Sequence, residues 1–307
     1  AACKGRIVVL DIVEEPPLED GTRQARLEPR AERMCLQPIT ALDVLDGHLL
    51  TAEGRSFYVY QLRVEGGLYR IGFLDAQLST VSFTIVRNYI LYGDVHHSIR
   101  LMRWLKAPHN WLQLVAKDPS PLDTVGTGAI LEGDKVTFLA TDERGNVYMH
   151  AFTPSSNPEI VPAFDPVGDF HYGTHVKTIA RFRVGALPKD EPKALRNHGS
   201  LLGGHDGSLG YLIPVPAGLF QDLKKLESHL VTSLEHTAGL HPFAFRFPKP
   251  AYRMSHPHNR AVLDGDLLFR FLHLERSKQE ELAKAIQTHS KSIIDTLARF
   301  SMQSTFE

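Results

Sequence analysis

Cysteine is nearly absent: Cys3 and Cys35 are the whole complement of a 307-residue chain. Two thiols cannot build a disulfide framework or a Cys-based zinc site, so a reducing compartment is expected. Long hydrophobic runs are missing too. Nothing approaches the roughly 18 to 20 uninterrupted apolar residues of a spanning helix, and no membrane partner is expected. Nor does one sign of charge dominate, because 34 Lys and Arg stand against 35 Asp and Glu for a net charge of −1. Whole-molecule attraction to nucleic acid or membrane is thereby not supported, and local patches must carry any such contact.

Catalytic signatures are equally scarce. The glycine-rich stretch Gly203–Gly210 has neither the Gly-x-Ser-x-Gly elbow nor the Gly-Lys-Ser/Thr ending of a phosphate loop, so it reads as a tight turn between strands. His171 and His175 have no third ligand of metal-site type nearby. Asp264 and Asp266 sit at a predicted helix start, where carboxylates cap more naturally than they bind a metal. No enzyme activity, cofactor or metal is expected. The chain also lacks an initiator Met, and its first strand-like run, Arg6 to Leu10, begins almost at once. It therefore reads as a piece of a longer protein, with partner strands upstream.

What is present, from Gly5 to Pro216, is β patterning. Short β-branched and aromatic runs such as Ser56–Leu62, Val81–Val86 and Lys135–Ala140 are separated by polar and glycine-rich breaks. Laid over one another, the segments starting at Leu49, Ile90, Phe138 and Leu202 share one order: apolar strand, small residues, polar turn, alternating strand. Taking Glu53, Asp94, Asp142 and Asp206 as register marks, the steps are 41, 48 and 64 residues. The first is close to the roughly 40 to 45 residues of a four-stranded propeller blade, and the others allow for loop insertions. The expectation is mainly β with a helical C-terminal domain: a partial β-propeller of about four WD40-like blades over 1–216, then an α-helical domain over 217–307. The period changes after Pro216, where Leu219, Phe220, Leu223, Leu226, Leu230, Val231 and Leu234 form a helical stripe. Further helices are predicted over Val262–Leu274, from a capping box of Ser277 with Glu280, and around Ile293, Ile294, Leu297 and Phe300.

Two stretches carry local basic charge. Between Glu235 and Asp264 no acidic residue occurs, while Arg246, Lys249, Arg253 and Arg260 alternate with Phe243, Phe245, Phe247 and Tyr252. Cations beside rings are the composition of a single-strand RNA contact. They equally suit a proline-broken connector whose aromatics anchor it to the β domain. His96–Lys117 likewise lacks Asp and Glu and holds Arg100, Arg103 and Lys106. Strand periodicity there makes Trp104 and Trp111 blade-packing residues.

The segments Gly5–Val9, Ile71–Leu78, Gly173–Val176, Ala238-Gly-Leu-His-Pro-Phe-Ala-Phe-Arg246 and Val262–Leu268 together resemble the C-terminal region of the large subunits of cleavage and polyadenylation specificity factor. That superfamily also contains the large damaged-DNA-binding protein and the third subunit of splicing factor 3b. The resemblance implies the last blades of a third propeller plus the helical domain of a nuclear, non-catalytic scaffold in pre-mRNA 3′-end processing. It implies as partners the upstream propellers of the same protein, a WD-repeat subunit and a zinc-finger subunit, with pre-mRNA met directly or through them. The alternatives are a direct RNA-binding module, or an adaptor of the damaged-DNA or splicing-factor type. By analogy with the damaged-DNA relative, whose third propeller grips a helical motif, Tyr60 and Leu62 are candidate partner contacts, and equally candidate core residues.

Overall fold

The computed structural model describes residues 4–16, 23–75, 79–106, 108, 110–154, 161–184, 197–236, 239–249 and 261–303. The chain divides into two compact units, Ala1–Thr124 with Pro154–Pro162, and Val125–Thr153 with Ala163–Glu307.

The first unit opens with a long hairpin of β1 (Gly5–Glu15) and β2 (Gln24–Cys35), paired from Gly5 opposite Cys35 to Glu15 opposite Gln24 with one register shift between Val9 and Leu10. Two antiparallel meanders follow. The first is β3 (Ile39–Leu45), β4 (His48–Glu53), β5 (Ser56–Leu62) and β6 (Leu68–Asp75). The second is β7 (Thr80–Val86), β8 (Tyr89–Asp94), β9 (Ser98–Leu105) and β10 (Trp111–Lys117). These are four-stranded propeller blades. Asp46 and Gly47 both have positive φ, 51° and 78°, the geometry of the tight turn that matches strand twist in a two-residue hairpin. Leu45, Leu50, Phe57 and Val59 of one blade pack with Ile90, Tyr92, Met102 and Trp104 of the next, and Phe57 meets Tyr92 edge-on at 4.8 Å. Gly72 makes this possible: a Cβ there would lie 3.0 Å from the Trp104 ring.

The second unit holds a third blade, β11 (Thr124–Glu132), β12 (Lys135–Asp142), β13 (Asn146–Ala151) and β14 (Asp165–His171). It continues into β15 (Val176–Arg183), β16 (His198–Gly204) and β17 (Leu209–Leu212), joined to the blade where Leu131 of β11 pairs His198 of β16. The glycine-rich stretch is the turn between β16 and β17, closed by Gly204 N–H to the Ser208 carbonyl at 2.8 Å.

The acidic register marks have a physical meaning. Glu53, Asp94 and Asp142 are the last residues of β4, β8 and β12, the second strand of each blade. Each carboxylate is buried and secures the turn that follows or the strand after it. Glu53 accepts from Thr51 Oγ1 (2.9 Å) and Tyr60 Oη (2.8 Å). Asp94 accepts from the amides of His96 and His97, both at 3.1 Å. Asp142 accepts from the amides of Arg144 and Asn146 and from Tyr148 Oη, all at 2.9 Å. Asp206 follows β16 and accepts from the Ser208 amide at 3.0 Å.

Strand gives way to helix between Leu212 and Ala217. The helices are α1 (Ala217–Ser233), α2 (Pro242–Arg246), α3 (Gly265–Phe269) with a following 3₁₀ turn (Arg270–His273), α4 (Arg276–Ala285) and α5 (Ser290–Gln303). Leu223, Leu226, Leu230 and Val231 of α1 pack on Leu267, Leu268, Phe271, Leu282, Ile293 and Leu297. Each such leucine contributes about 1.5–3 kcal/mol by leaving water. The helix predicted over Val262–Leu274 is shorter than its pattern, starting only where Asp264 accepts from the amides of Asp266 and Leu267. The Ser277 capping box does not form. Helix α4 begins two residues earlier, with Glu275 as its cap residue and no side-chain cap.

Candidate partner and nucleic-acid interface

The basic aromatic segment is pinned to both the third blade and the helices of its unit. Pro242, whose fixed φ suits a first helical position, opens the short helix α2. Phe245 then lies over Gly173, the residue with φ of +108° where a Cβ would come within 2.9 Å of the ring, and meets His171 edge-on at 5.7 Å. Arg246 reaches the other way. Its Nε donates to Asp264 Oδ2 at 2.9 Å and its Nη2 to Asp266 Oδ2 at 2.8 Å, while Nη1 donates to the Tyr172 carbonyl at 3.3 Å. The Lys249 amide donates to Asn146 Oδ1 at 3.0 Å. Asp264 is fixed in turn, its amide donating to the buried Glu227 carboxylate at 2.8 Å. The Lys224 ammonium bonds that carboxylate and lies 5.5 Å from the centre of the Phe243 ring.

The electrostatics follow from this geometry. Burial works against the Arg246 charge, but the hydrogen bonds and charges of Asp264 and Asp266 outweigh it and hold the guanidinium pKa above its ordinary value. His171, whose Nδ1 lies 3.0 Å from Asn146 Oδ1, has its pKa lowered, first by burial and then by the Lys249 charge. It is neutral at pH 7 and donates through Nδ1 to the amide oxygen.

Of the predicted RNA residues, the structure brings together Phe243, Phe245, Arg246 and Lys249. Arg246 is spent on two carboxylates, so its charge is already neutralised. Phe245, Phe247 and Lys249 keep exposed surface, 48% for Phe245 and 36% for Phe247. Tyr252, Arg253 and Arg260 lie outside the described residues. Tyr60 is buried in the first unit beside Ile7, Ala31, Cys35 and Leu68, with Leu62 packed at the margin of that cluster. The Arg33 guanidinium covers the Tyr60 ring at 4.7 Å. Trp104 packs between blades as predicted, but Trp111, the first residue of β10, is 62% exposed. Strand periodicity placed both rings in the core, but along β10 it is Leu112 that takes the buried face, so its neighbour Trp111 projects into solvent. Lys106 pairs with Asp46 at 2.7 Å, and Arg103 stacks 5.8 Å from Tyr89.

Sequence reasoning missed a second arginine–aromatic surface in the first unit. Arg70 lies 5.5 Å from the Tyr58 ring and 5.7 Å from Phe73, and Arg63 lies 4.0 Å from Tyr69. Its signal was the Leu68-Tyr-Arg-Ile-Gly-Phe73 run of β6, whose rings and cations read as ordinary strand alternation. Among the described residues no group of three or more His, Cys, Asp and Glu is arranged to hold a metal ion. No described helix is long and apolar enough to cross a membrane.

Comparison with known proteins gives these sites a context. A family model described as the CPSF A subunit region matches residues 1–273. Cleavage and polyadenylation specificity factor subunit 1 of Drosophila melanogaster is 27% identical over 300 residues, covering 96% of this chain and 20% of that protein. The Arabidopsis thaliana subunit 1 is 29% identical over 274 residues, with 87% and 18% covered. Protein cft1 of Schizosaccharomyces pombe is 24% identical over 299 residues, with 94% and 20% covered. The chain thus spans about a fifth of the length of these relatives.

Proposed function

The chain belongs to the CPSF A subunit family, and on that premise we propose that it is a non-catalytic scaffold region of the nuclear pre-mRNA 3′-end cleavage and polyadenylation machinery. In this reading it holds partner subunits, among them WD-repeat and zinc-finger proteins, beside the upstream propellers of its own protein. The observation that carries the reading is the fate of the basic segment. Arg246 is consumed by Asp264 and Asp266, and one side of the Phe245 ring is seated on Gly173 and His171. Residues that would grip a polyanion instead make the third blade and the helices of one unit a fixed mount. Arginine–aromatic patches of the kind at Arg63, Tyr69, Arg70 and Phe73 are favoured in the centres of protein interfaces. Of the expected contacts at the neighbouring strand end, the partly exposed Leu62 is proposed to belong to the same partner face, whereas Tyr60, 1% exposed, belongs to the core beneath it.

A second reading, direct RNA contact, is favoured by the exposed rings of Phe245 and Phe247 beside the exposed Lys249. Tyr252, Arg253 and Arg260 would extend that contact. The deciding experiment is capture of partners from nuclear extract with this chain as bait, with and without RNase, read by mass spectrometry. Polyadenylation-factor subunits retained after RNase support the scaffold. Their loss after RNase supports RNA contact, and their absence from both halves overturns the proposal.

A further inference from the structure

Strand β6 is the outer strand of its blade: among the described residues it pairs with β5 and with no other strand. At its start the Leu68 carbonyl accepts from Arg33 Nη1 at 3.0 Å, so β2 covers that end. From Tyr69 to Asp75 the strand is left as an edge, a row of N–H and C=O groups that another extended chain can complete. The two faces of this edge carry different groups. Tyr58 pairs Phe73 and Tyr60 pairs Arg70, so Arg70 and Phe73 share a face although they are three residues apart. A bulge at Ile71, which has no partner on β5, makes that possible. Tyr69 pairs Gln61 and therefore points to the opposite face.

Each face holds one guanidinium against rings. Arg70 lies 5.5 Å from the Tyr58 ring and 5.7 Å from that of Phe73. On the other face Arg63 lies 4.0 Å from the Tyr69 ring, which the turn admits because Gly67, with φ of +103°, has no Cβ to meet it. Both arginines are exposed, and neither has an ion-pair partner among the described residues. The acids of β5, β6 and their turn are Glu65 and Asp75, and Asp75 accepts from Ser56 Oγ at 2.7 Å. On the neighbouring hairpin, Asp11, Glu28 and Glu32 are each paired with an arginine of that hairpin.

We infer that β6 is a strand-addition site, where an extended acidic segment of a partner protein pairs as a fifth strand and sets one carboxylate on Arg70 and the next on Arg63. The inference rests on the scaffold reading and states how one partner is held. Three observations select this occupant. The two cations lie on opposite faces of one strand, and adjacent side chains of an added strand also point to opposite faces, so a single extended peptide reaches both. A guanidinium resting on a ring without an ion-pair partner is suited to a carboxylate, which it can bind through two parallel hydrogen bonds. Glu65 and Asp75 stand at the two ends of the edge, where they repel the uniformly charged backbone of a nucleic acid but leave room for a peptide with carboxylates only between them. The outer strands of the other blades, β10 and β14, carry no arginine, which confines the site to this blade.

The probe is a fluorescein-labelled peptide of alternating valine and threonine with two adjacent glutamates at its centre, titrated with the full chain and read by fluorescence anisotropy. Saturable binding is expected, about 10-fold weaker in each of Arg63→Ala and Arg70→Ala, and weaker again at about 0.5 M salt. Placing one residue between the glutamates puts both on one face and should weaken binding about as much as either substitution. Main-chain pairing has its own readout: methylating the amide nitrogens of alternate residues should abolish binding in one of the two registers and spare it in the other. Both arginines are exposed, and unchanged circular dichroism will show that the fold is intact. No saturable binding, equal binding of the peptide with glutamine in place of glutamate, tolerance of methylation in both registers, or tighter binding of oligouridine would each overturn the inference. If polyadenylation-factor subunits are still captured after RNase, such a result leaves the scaffold reading standing; peptide binding without that capture overturns the scaffold reading alone.

Discussion

Replacing Arg246 with alanine tests the mount directly. The guanidinium is 23% exposed and faces Asp264, whose side chain is 13% exposed, and Asp266, which is 88% exposed. The Asp266 pair is screened by water and contributes about 0–1 kcal/mol. The Asp264 pair is largely shielded, and breaking a fully buried pair costs roughly 3–5 kcal/mol. Here the loss is smaller, because Asp264 keeps the amides of Asp266 and Leu267 as partners. Loss of the Tyr172 carbonyl contact adds about 1 kcal/mol. The expected destabilisation is about 2 kcal/mol for the unit carrying the helices. Both tryptophans belong to the other unit, so the helical circular dichroism signal in a urea titration is the appropriate probe. With a slope of about 2 kcal/mol per molar urea, the midpoint should fall by about 1 M. Asp266→Ala should move it by less than half as much. A midpoint unchanged in Arg246→Ala would refute the argument that this charge is spent on holding the connector.

Gly173→Ala should destabilise the same unit by about 1–3 kcal/mol, because φ of +108° is strained for any side chain and the new Cβ meets Phe245; an unchanged melting temperature would contradict this. His171 has a folded pKa lowered by burial and by Lys249, so the unfolded chain binds the proton more readily. Stability should therefore fall as pH drops below about 6.5, and His171→Asn should flatten that part of the profile measured by thermal melts. The Cys35 thiol is pushed up to about 11, first by burial and then by the Glu53 charge. At pH 8 its thiolate fraction is about one in a thousand, against roughly a quarter for an ordinary thiol. Iodoacetamide followed by peptide mass spectrometry should label Cys35 only after unfolding; rapid labelling of the native chain would contradict the buried placement.

The blades were legible in the sequence because their periodic acids serve the hairpins closest to them. The partners of Glu53, Asp94 and Asp142 lie within eight residues, so the signal is local. The α1 stripe was legible for the same reason. Helix α2 was not, since a five-residue helix in a proline-broken stretch has no period to read, and its placement is set by Gly173 and Asp264 far along the chain. The Ser277 capping box misled because Gln279 uses its side chain to bond the Phe271 carbonyl at 2.9 Å, tying the start of α4 to the preceding turn. Cationic composition flagged Arg246 as a phosphate ligand, and only the fold showed its carboxylate partners. The outward Trp111 depended on which of the two alternating sets of β10 faces the core, Leu112 taking that face, and alternation alone does not fix the choice.

The carboxylates that end the second strand of each blade also bear on how such a chain can change. Because each acid secures its own hairpin from within a few residues, the geometry of one repeat places little demand on the spacing to the next. The interval between these acids can stretch from 41 to 48 residues without retuning the hairpins on either side. Insertions between repeats can therefore accumulate as raw material for new recognition surfaces, while an isosteric exchange of one acid for its amide would be paid for within that repeat.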